Sequence, residues 1–359
     1  MTRFLFIVIG FLLIHCSLWA QEFQQIESAE YDPSQNRWLV SNSTSIIAQS
    51  ETGVLSFFGD ATASHGMEVM NGNLYAISGD LIKGYDLATG QEVFSLDVPG
   101  AGFLNGMGSD PASSRLWISD FSNNRIFELD VSDLENPVLD PIVTNTVSTP
   151  NGVVFDQFNN RVVFVNWGSN AAIKQIDLNN NTMTTIIQSG LANCDGIDID
   201  ENGDFFVSSW SPTRITKYSD NFSTSEIISA PGLSNPADIS YGIGISTLGI
   251  ANSGNETLTL IEFDPSSAHD ITEKNAKLNI FPNPVSSASR VQFELNTAVD
   301  IDLAIRDAQG RLVQRLLSGI QPKGEHQVLL NGVNLESGHY FLYLSSGSNL
   351  SMQPFVVQD

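Results

Sequence analysis

The sequence predicts an all-β protein, a six-bladed β-propeller followed by a small C-terminal β-sandwich. Short alternating strands rich in Val, Ile, Phe, Trp and Tyr recur through residues 21–263 at a period of about forty, with no amphipathic helix pattern between them. The second strand of each unit reads RWLVSN (37–42), NLYAISG (73–79), RLWISD (115–120), RVVFVNWG (161–168), DFFVSSW (204–210) and TLGIANSG (247–254), which makes six units. A polar run, DPSSAHDITEKNA (264–276), then breaks the repeat, and shorter alternating strands restart from Lys277.

At the start of the chain, Arg3 precedes the apolar run Phe4 to Ile14 and then Ser17-Leu18-Trp19-Ala20. This is the layout of a secretory signal peptide over residues 1–20, cut after Ala20. The run is too short to anchor the chain, so no transmembrane segment is expected once it is removed. Removal takes away Arg3 and no acid, leaving 15 basic against 40 acidic residues. So strong an acidic balance argues against nucleic acid as a partner. Cys194 is then the one cysteine left, which excludes an intramolecular disulfide.

Within the units a third strand recurs, from SIIAQSE (45–51) to TLTLIEF (257–263), and a fourth follows in five of them. The sixth unit ends at Phe263 without one. Glu22 to Ile26 is expected to supply that strand and so leave the ring without an open edge. The turns between first and second strands are polar: DPSQNR (32–37), MNGN (70–73), DPASSR (110–115) and DQFNNR (156–161). In the fifth unit the same place holds Asp198, Asp200, Asn202 and Gly203 at the spacing of a calcium-binding loop, but the twelfth position, which needs a bidentate acid, is Ser209. The stretch is read as one more hairpin, with Asn202-Gly203 supplying positive φ.

The residues that open the innermost strands are Glu27, His65, Asn105, Asn151, Asp195 and, in the last unit, Ala237 with Asp238 displaced by one. First residues of innermost strands ring the mouth of a propeller's channel, so Glu27, Asn105, Asn151 and Asp195 offer four oxygen donors to one point. That set suits a hard divalent cation, calcium first, with magnesium, manganese or zinc as alternatives. Turn chemistry is the competing reading, since Asn-Gly and Asp-Gly occur wherever a chain turns sharply into a strand. Glu27 and His65 are not favoured turn residues.

The openings ESAEYDPSQNRWLVSN, FLNGMGSDPASSRLWIS, TPNGVVFDQFNNRVVFV and NCDGIDIDENGDFFVSS resemble those of the regucalcin and gluconolactonase family over most of 26–263. The resemblance implies six blades and one divalent cation held by Glu27, Asn151 and Asp195, with Asn105 touching metal or substrate. It further implies lactone or ester hydrolysis, with Asp195 or a metal-held water as base or nucleophile. His65 is a candidate substrate contact. The family's sugar-lactone enzymes carry a basic residue where this chain has Phe103, so a sugar acid would lose a partner there. Loops on the same face bring Trp167 and Trp210, a rim suited to a small polar ligand such as a lactone or saccharide. The same loops are equally readable as solvated tips, and a non-catalytic propeller binding a glycan or protein is the alternative to an enzyme. No G-x-S-x-G, H-E-x-x-H or P-loop pattern occurs.

From Lys277 to Asp359, the strands LNIF, RVQFEL, VDIDLAIR, RLVQRLL, HQVLL, HYFLYLS and PFVV predict a small sandwich. KLNIFPNPVSS, IRDAQGRLV, LESGHYFLYL and the final PFVVQ resemble the sorting domain that addresses proteins to the type IX secretion machinery of certain Gram-negative bacteria. A generic adhesive sandwich is the competing reading. The resemblance implies passage through the periplasm to the cell surface or the medium, with residues 277–359 as the part the machinery recognises.

Overall fold

The computed structural model describes residues 21–263, 278–285, 289–295, 299–307, 312–330, 335, 337–346 and 349–357; the expected signal peptide and linker lie outside the described residues. Six antiparallel sheets follow one another in sequence, five of four strands and the last of three. Each is a simple meander, so the strand order in the sheet is the order in the chain. The innermost strands are Ala29–Asp32, Met67–Met70, Leu104–Asp110, Pro150–Asp156, Ala192–Ile199 and Pro236–Gly242. Each touches the innermost strand of the next blade, and the sixth touches the first, which closes the ring. Apolar clusters fill the spaces between neighbouring blades; one joins Val154, Val163, Ile173, Ile197, Phe205 and Val207 of blades four and five.

Several of the hairpins between first and second strands share a clamp. Asp32 accepts the backbone N–H of Ser34 and pairs with Arg37 at 2.8 Å, and Asp156 does the same with Phe158 and with Arg161 at 2.6 Å. An aspartate that holds its own turn and an arginine five residues on explains the D-x-x-x-x-R pattern in blades one and four; in blade three Asp110 holds its turn while Arg115 pairs with Glu128 and Asp130. The fifth-blade hairpin follows suit: Asp200 accepts the N–H groups of Asn202 and Asp204 and pairs with Lys217 at 3.0 Å. Only Gly203 there has positive φ, at 86°. The stretch is a hairpin turn, and Asp198 points away from it into the channel cavity.

The expected closing strand differs. Residues 22–26 form no strand, and the sixth sheet keeps three. Gln25 sits at φ 51°, which ends any extended run, and the backbone donors of Gln24 and Gln25 are taken by the side chains of Asn42 and Glu256. The segment instead packs Ile26, fully buried, among Tyr31, Trp38, Val40 and Ala251. Ring closure falls to the inner strands, where Asp238 N–H donates to the Glu27 carbonyl at 2.9 Å.

A second common device lies at the channel mouth. In blades three to six the pairing of first and second strands shifts register at Asn105-Gly106, Asn151-Gly152, Asp195-Gly196 and Ala237-Asp238. These are β-bulges, which bend the strand and re-aim a side chain. The N–H groups of Gly106 and Gly196 go to the hydroxyls of buried Ser119 and Ser208 on the second strands, at 2.8 and 2.7 Å, so the interrupted ladder leaves no orphan donor there. The glycines are required by space: a Cβ on Gly152 would lie 2.5 Å from the Asp195 carbonyl oxygen, and one on Gly66 2.7 Å from that of Asn105. The Asn-Gly and Asp-Gly pairs are therefore bulges at a strand-to-strand contact, which turn chemistry alone does not describe.

In the C-terminal domain all seven expected strands form, as a three-stranded and a four-stranded sheet. Val291, Phe293 and Leu295 of one share an apolar core with Leu303, Ile305, Leu342, Leu344 and Phe355 of the other.

Gly152→Ala should lower stability by about 2 kcal/mol or more, because the added methyl meets backbone that cannot yield without opening the channel wall. Thermal melting checks this; a variant that melts with the wild type would show slack between the inner strands.

Candidate functional site

The bulges carry Asn105, Asn151 and Asp195 to the channel mouth. Asn151 and Asp195 are buried, at 2% and 7% exposure, and the Asn151 amide donates to the Asp195 Oδ1 at 3.0 Å. Glu27, half-buried just before its strand, lies close enough that its charge opposes ionisation of Asp195 and of Asp238. Burial is the larger cause: it pushes Asp195 well above the usual carboxylate range and takes Glu27 up to about 7. The Trp210 indole N–H holds Asp195 down slightly through a polar contact looser than a hydrogen bond, and finds no other partner. Asn105 sits half-buried in the bulge of blade three, its carbonyl accepting from Gly66. Among the described residues no three histidine, cysteine, aspartate or glutamate side chains converge to hold a metal ion, so a cation at this mouth needs amide oxygens to complete its shell.

His65 does not join the carboxylates. Its Nδ1 lies 2.9 Å from the Ser64 hydroxyl, its ring meets Phe103 edge-on at 4.6 Å, and burial lowers its pKa to about 4, which keeps it neutral. Phe103 contacts Phe121, Phe121 contacts Trp167, and Trp167 contacts Trp210, so the predicted rim residues form one aromatic arc, with Phe121 as a member that the sequence reading passed over. Cys194 faces the apolar core between blades four and five, and burial raises its thiol to about 12, so it is inert.

Deeper in the channel lies a feature the sequence reading missed. A cavity of about 440 Å³, displaced from the mouth toward the hairpin ends of the inner strands, is lined by Glu30, Glu68, Asp198 and Asp238. Glu30 accepts from the Val69 N–H, Glu68 from the Ser109 hydroxyl, Asp198 from the Tyr241 N–H and Asp238 from the Ser28 hydroxyl. Burial raises Glu30 to about 8 and Asp198 and Asp238 to about 7, and Glu68 rises well above its ordinary value. Three of these acids stand three residues after the ring positions Glu27, His65 and Asp195. Arg306, Phe341 and Tyr343 of the C-terminal domain complete the lining.

Residues 279–358 match the family model of the secretion system C-terminal sorting domain. This places the protein on the type IX route to the cell surface or the medium, with the secretion machinery as a partner. No curated protein matches the sequence. The propeller fold is shared with several solved structures. One is a calcium-binding regucalcin from Agrobacterium tumefaciens, 14% identical, covering 67% of this chain and 91% of that one at a TM-score of 0.54. A luciferin-regenerating enzyme is 13% identical, with 68% and 87% covered and a TM-score of 0.50. A nidogen/laminin complex gives 15% identity, 63% and 89% coverage and a TM-score of 0.55. At these identities the likeness extends to the fold.

The channel acids make stability depend on pH. Glu27, Glu30, Asp198 and Asp238 titrate at about 7 to 8 when folded, above their unfolded values, so the native chain holds more protons than the unfolded one across that interval. Stability should therefore fall as pH rises from about 4 to about 8 and level off above it. In metal-free buffer the melting temperature should drop by about 5 °C or more over this range. Scanning calorimetry would show it, and a flat profile would mean that the channel relieves its charges in another way.

Proposed function

We propose that the exported propeller is a divalent-cation-dependent hydrolase of ester or lactone bonds, acting at the mouth formed by Glu27, Asn105, Asn151 and Asp195. The observation that carries this reading is the buried Asn151–Asp195 pair beside Glu27, with both carboxyls forced toward protonation by burial. The donor set is all oxygen and acidic, and a hard divalent cation such as calcium is the counter-charge it lacks. Glu27 and Asp195 would hold it, with the amide oxygens of Asn105 and Asn151. The likeness in fold to a calcium-binding protein supports this choice.

Bound there, the cation would supply polarisation of the substrate carbonyl. Asp195 acts as the general base: its carboxylate takes a proton from water as the water oxygen bonds to the acyl carbon. The acyl–oxygen bond then breaks, and the proton passes from Asp195 to the departing alkoxide. A carboxylate whose proton affinity burial has raised is a stronger base for the first half of that transfer. The Asn151 amide fixes the Asp195 orientation by its hydrogen bond to Oδ1.

Two outcomes test this reading. Calcium, manganese or zinc should raise the melting temperature of EDTA-treated protein, and an unchanged temperature across the series would remove the metal. With a panel of aryl esters and aldonolactones, Asp195→Asn should keep the fold yet reduce turnover by about 10²- to 10⁴-fold, the usual contribution of a positioned base. Full activity in that variant would defeat the mechanism, and absence of turnover by the wild type would leave a binding propeller.

Deleting residues 277–359 should hold the chain in the periplasm, as read by cell fractionation. Normal surface or medium yield from the shortened chain would count against these residues as the sole export address.

A further inference from the structure

The aromatic arc carries information about the ligand. Edge contacts run unbroken from His65 to Phe103 at 4.6 Å, Phe121 at 5.5 Å, Trp167 at 6.1 Å and Trp210 at 4.9 Å. Its members come from blades two to five, on the segments that enter or leave the mouth. Phe103, two residues before Asn105, keeps 36% of its surface exposed, and the Trp210 indole lies against Asp195. One wall of the mouth is thus continuous and apolar, while its floor is acidic. Nearby basic groups are engaged elsewhere: Arg125 with Asp120 and the Gly100 carbonyl, and buried Lys174 with the Thr146 carbonyl at 2.6 Å. A carboxylate on the ligand would find neither Arg125 nor Lys174 free to pair with it, whereas a flat or aliphatic group would gain apolar contact along the arc.

We propose that the ligand is an ester or lactone bearing an apolar aryl or alkyl group that lies on this arc, with its carbonyl toward Asn151 and Asp195, and is not a polyhydroxylated sugar lactone. The ester bond rests on the hydrolytic reading above; the apolar group does not.

Asp195→Asn allows binding to be measured without turnover, by calorimetric titration with phenyl acetate, δ-decanolactone and glucono-δ-lactone. The two apolar ligands should bind at least about tenfold more tightly than gluconolactone. Phe103→Lys, added to that variant, should weaken the apolar ligands by about tenfold and leave gluconolactone unchanged or improved. If Asp195→Asn does not fold, the wild type in EDTA serves for the same titrations. Equal or tighter binding of gluconolactone, binding of none of the three, or indifference to Phe103→Lys overturns the proposal. The two readings fail separately. Apolar ligands that bind but are never hydrolysed by the wild type sink the hydrolase and leave the ligand class standing. Preferential hydrolysis of gluconolactone does the reverse.

Discussion

Six inner strands must approach one another closely enough to close a channel, and most of the site follows from that constraint. Close approach demands glycine where one strand's backbone meets the next, as at Gly106, Gly152 and Gly196. The bulges at those glycines break the ladder, so second-strand serines such as Ser119 and Ser208 take up the freed N–H groups. The residue before each glycine is then aimed at the mouth. Asn151 and Asp195 meet because two adjacent blades repeat the same arrangement.

The architecture was legible in the sequence because a meander needs only local signals. Alternation marks the strands, aspartate and arginine five apart mark the hairpins, and six repetitions outweigh any ambiguous segment. The mouth residues were legible for the same reason, since the x-Gly pair recurs in phase. Glu30, Glu68 and Asp198 were not. Strict alternation assigns Asp198 to the opposite face from Asp195, and the bulge at Asp195-Gly196 restores it to the channel; Glu27 and His65 precede their strands, so alternation relates neither to the acid three positions on. Phe121 escaped notice because its partners in the arc, Phe103 and Trp167, are far from it in sequence. Gln25 misled for a different reason: glutamine gives no warning of a left-handed backbone, so Glu22 to Ile26 looked extended.

The acids deserve to be considered together with where the protein works. A chain with 40 acidic residues carries most of its charge on the surface, where water screens it. The mouth and the cavity are the exceptions. There carboxyls are concentrated in a low-dielectric channel, and they stay folded by keeping protons or by taking a counter-ion. Mouth and cavity are consecutive stretches of the same inner strands, with Asp238 beside both groups, so the ionisation of one is felt by the other.

A last blade made wholly from its own continuous segment changes how the molecule can assemble. Each propeller sheet pairs only strands that are neighbours in sequence, so every blade can form from local contacts as it becomes available. Within the propeller the longest-range event is the meeting of the first and last inner strands, where Ser28 and Asp238 bond across 210 positions. The entropy of closing such a loop grows slowly, by about 0.6 kcal/mol for each doubling of its length. No strand has to be threaded from the amino terminus into the final sheet; the ring closes by docking of the first and last blades, with Ile26 and the Glu27 carbonyl as the latch.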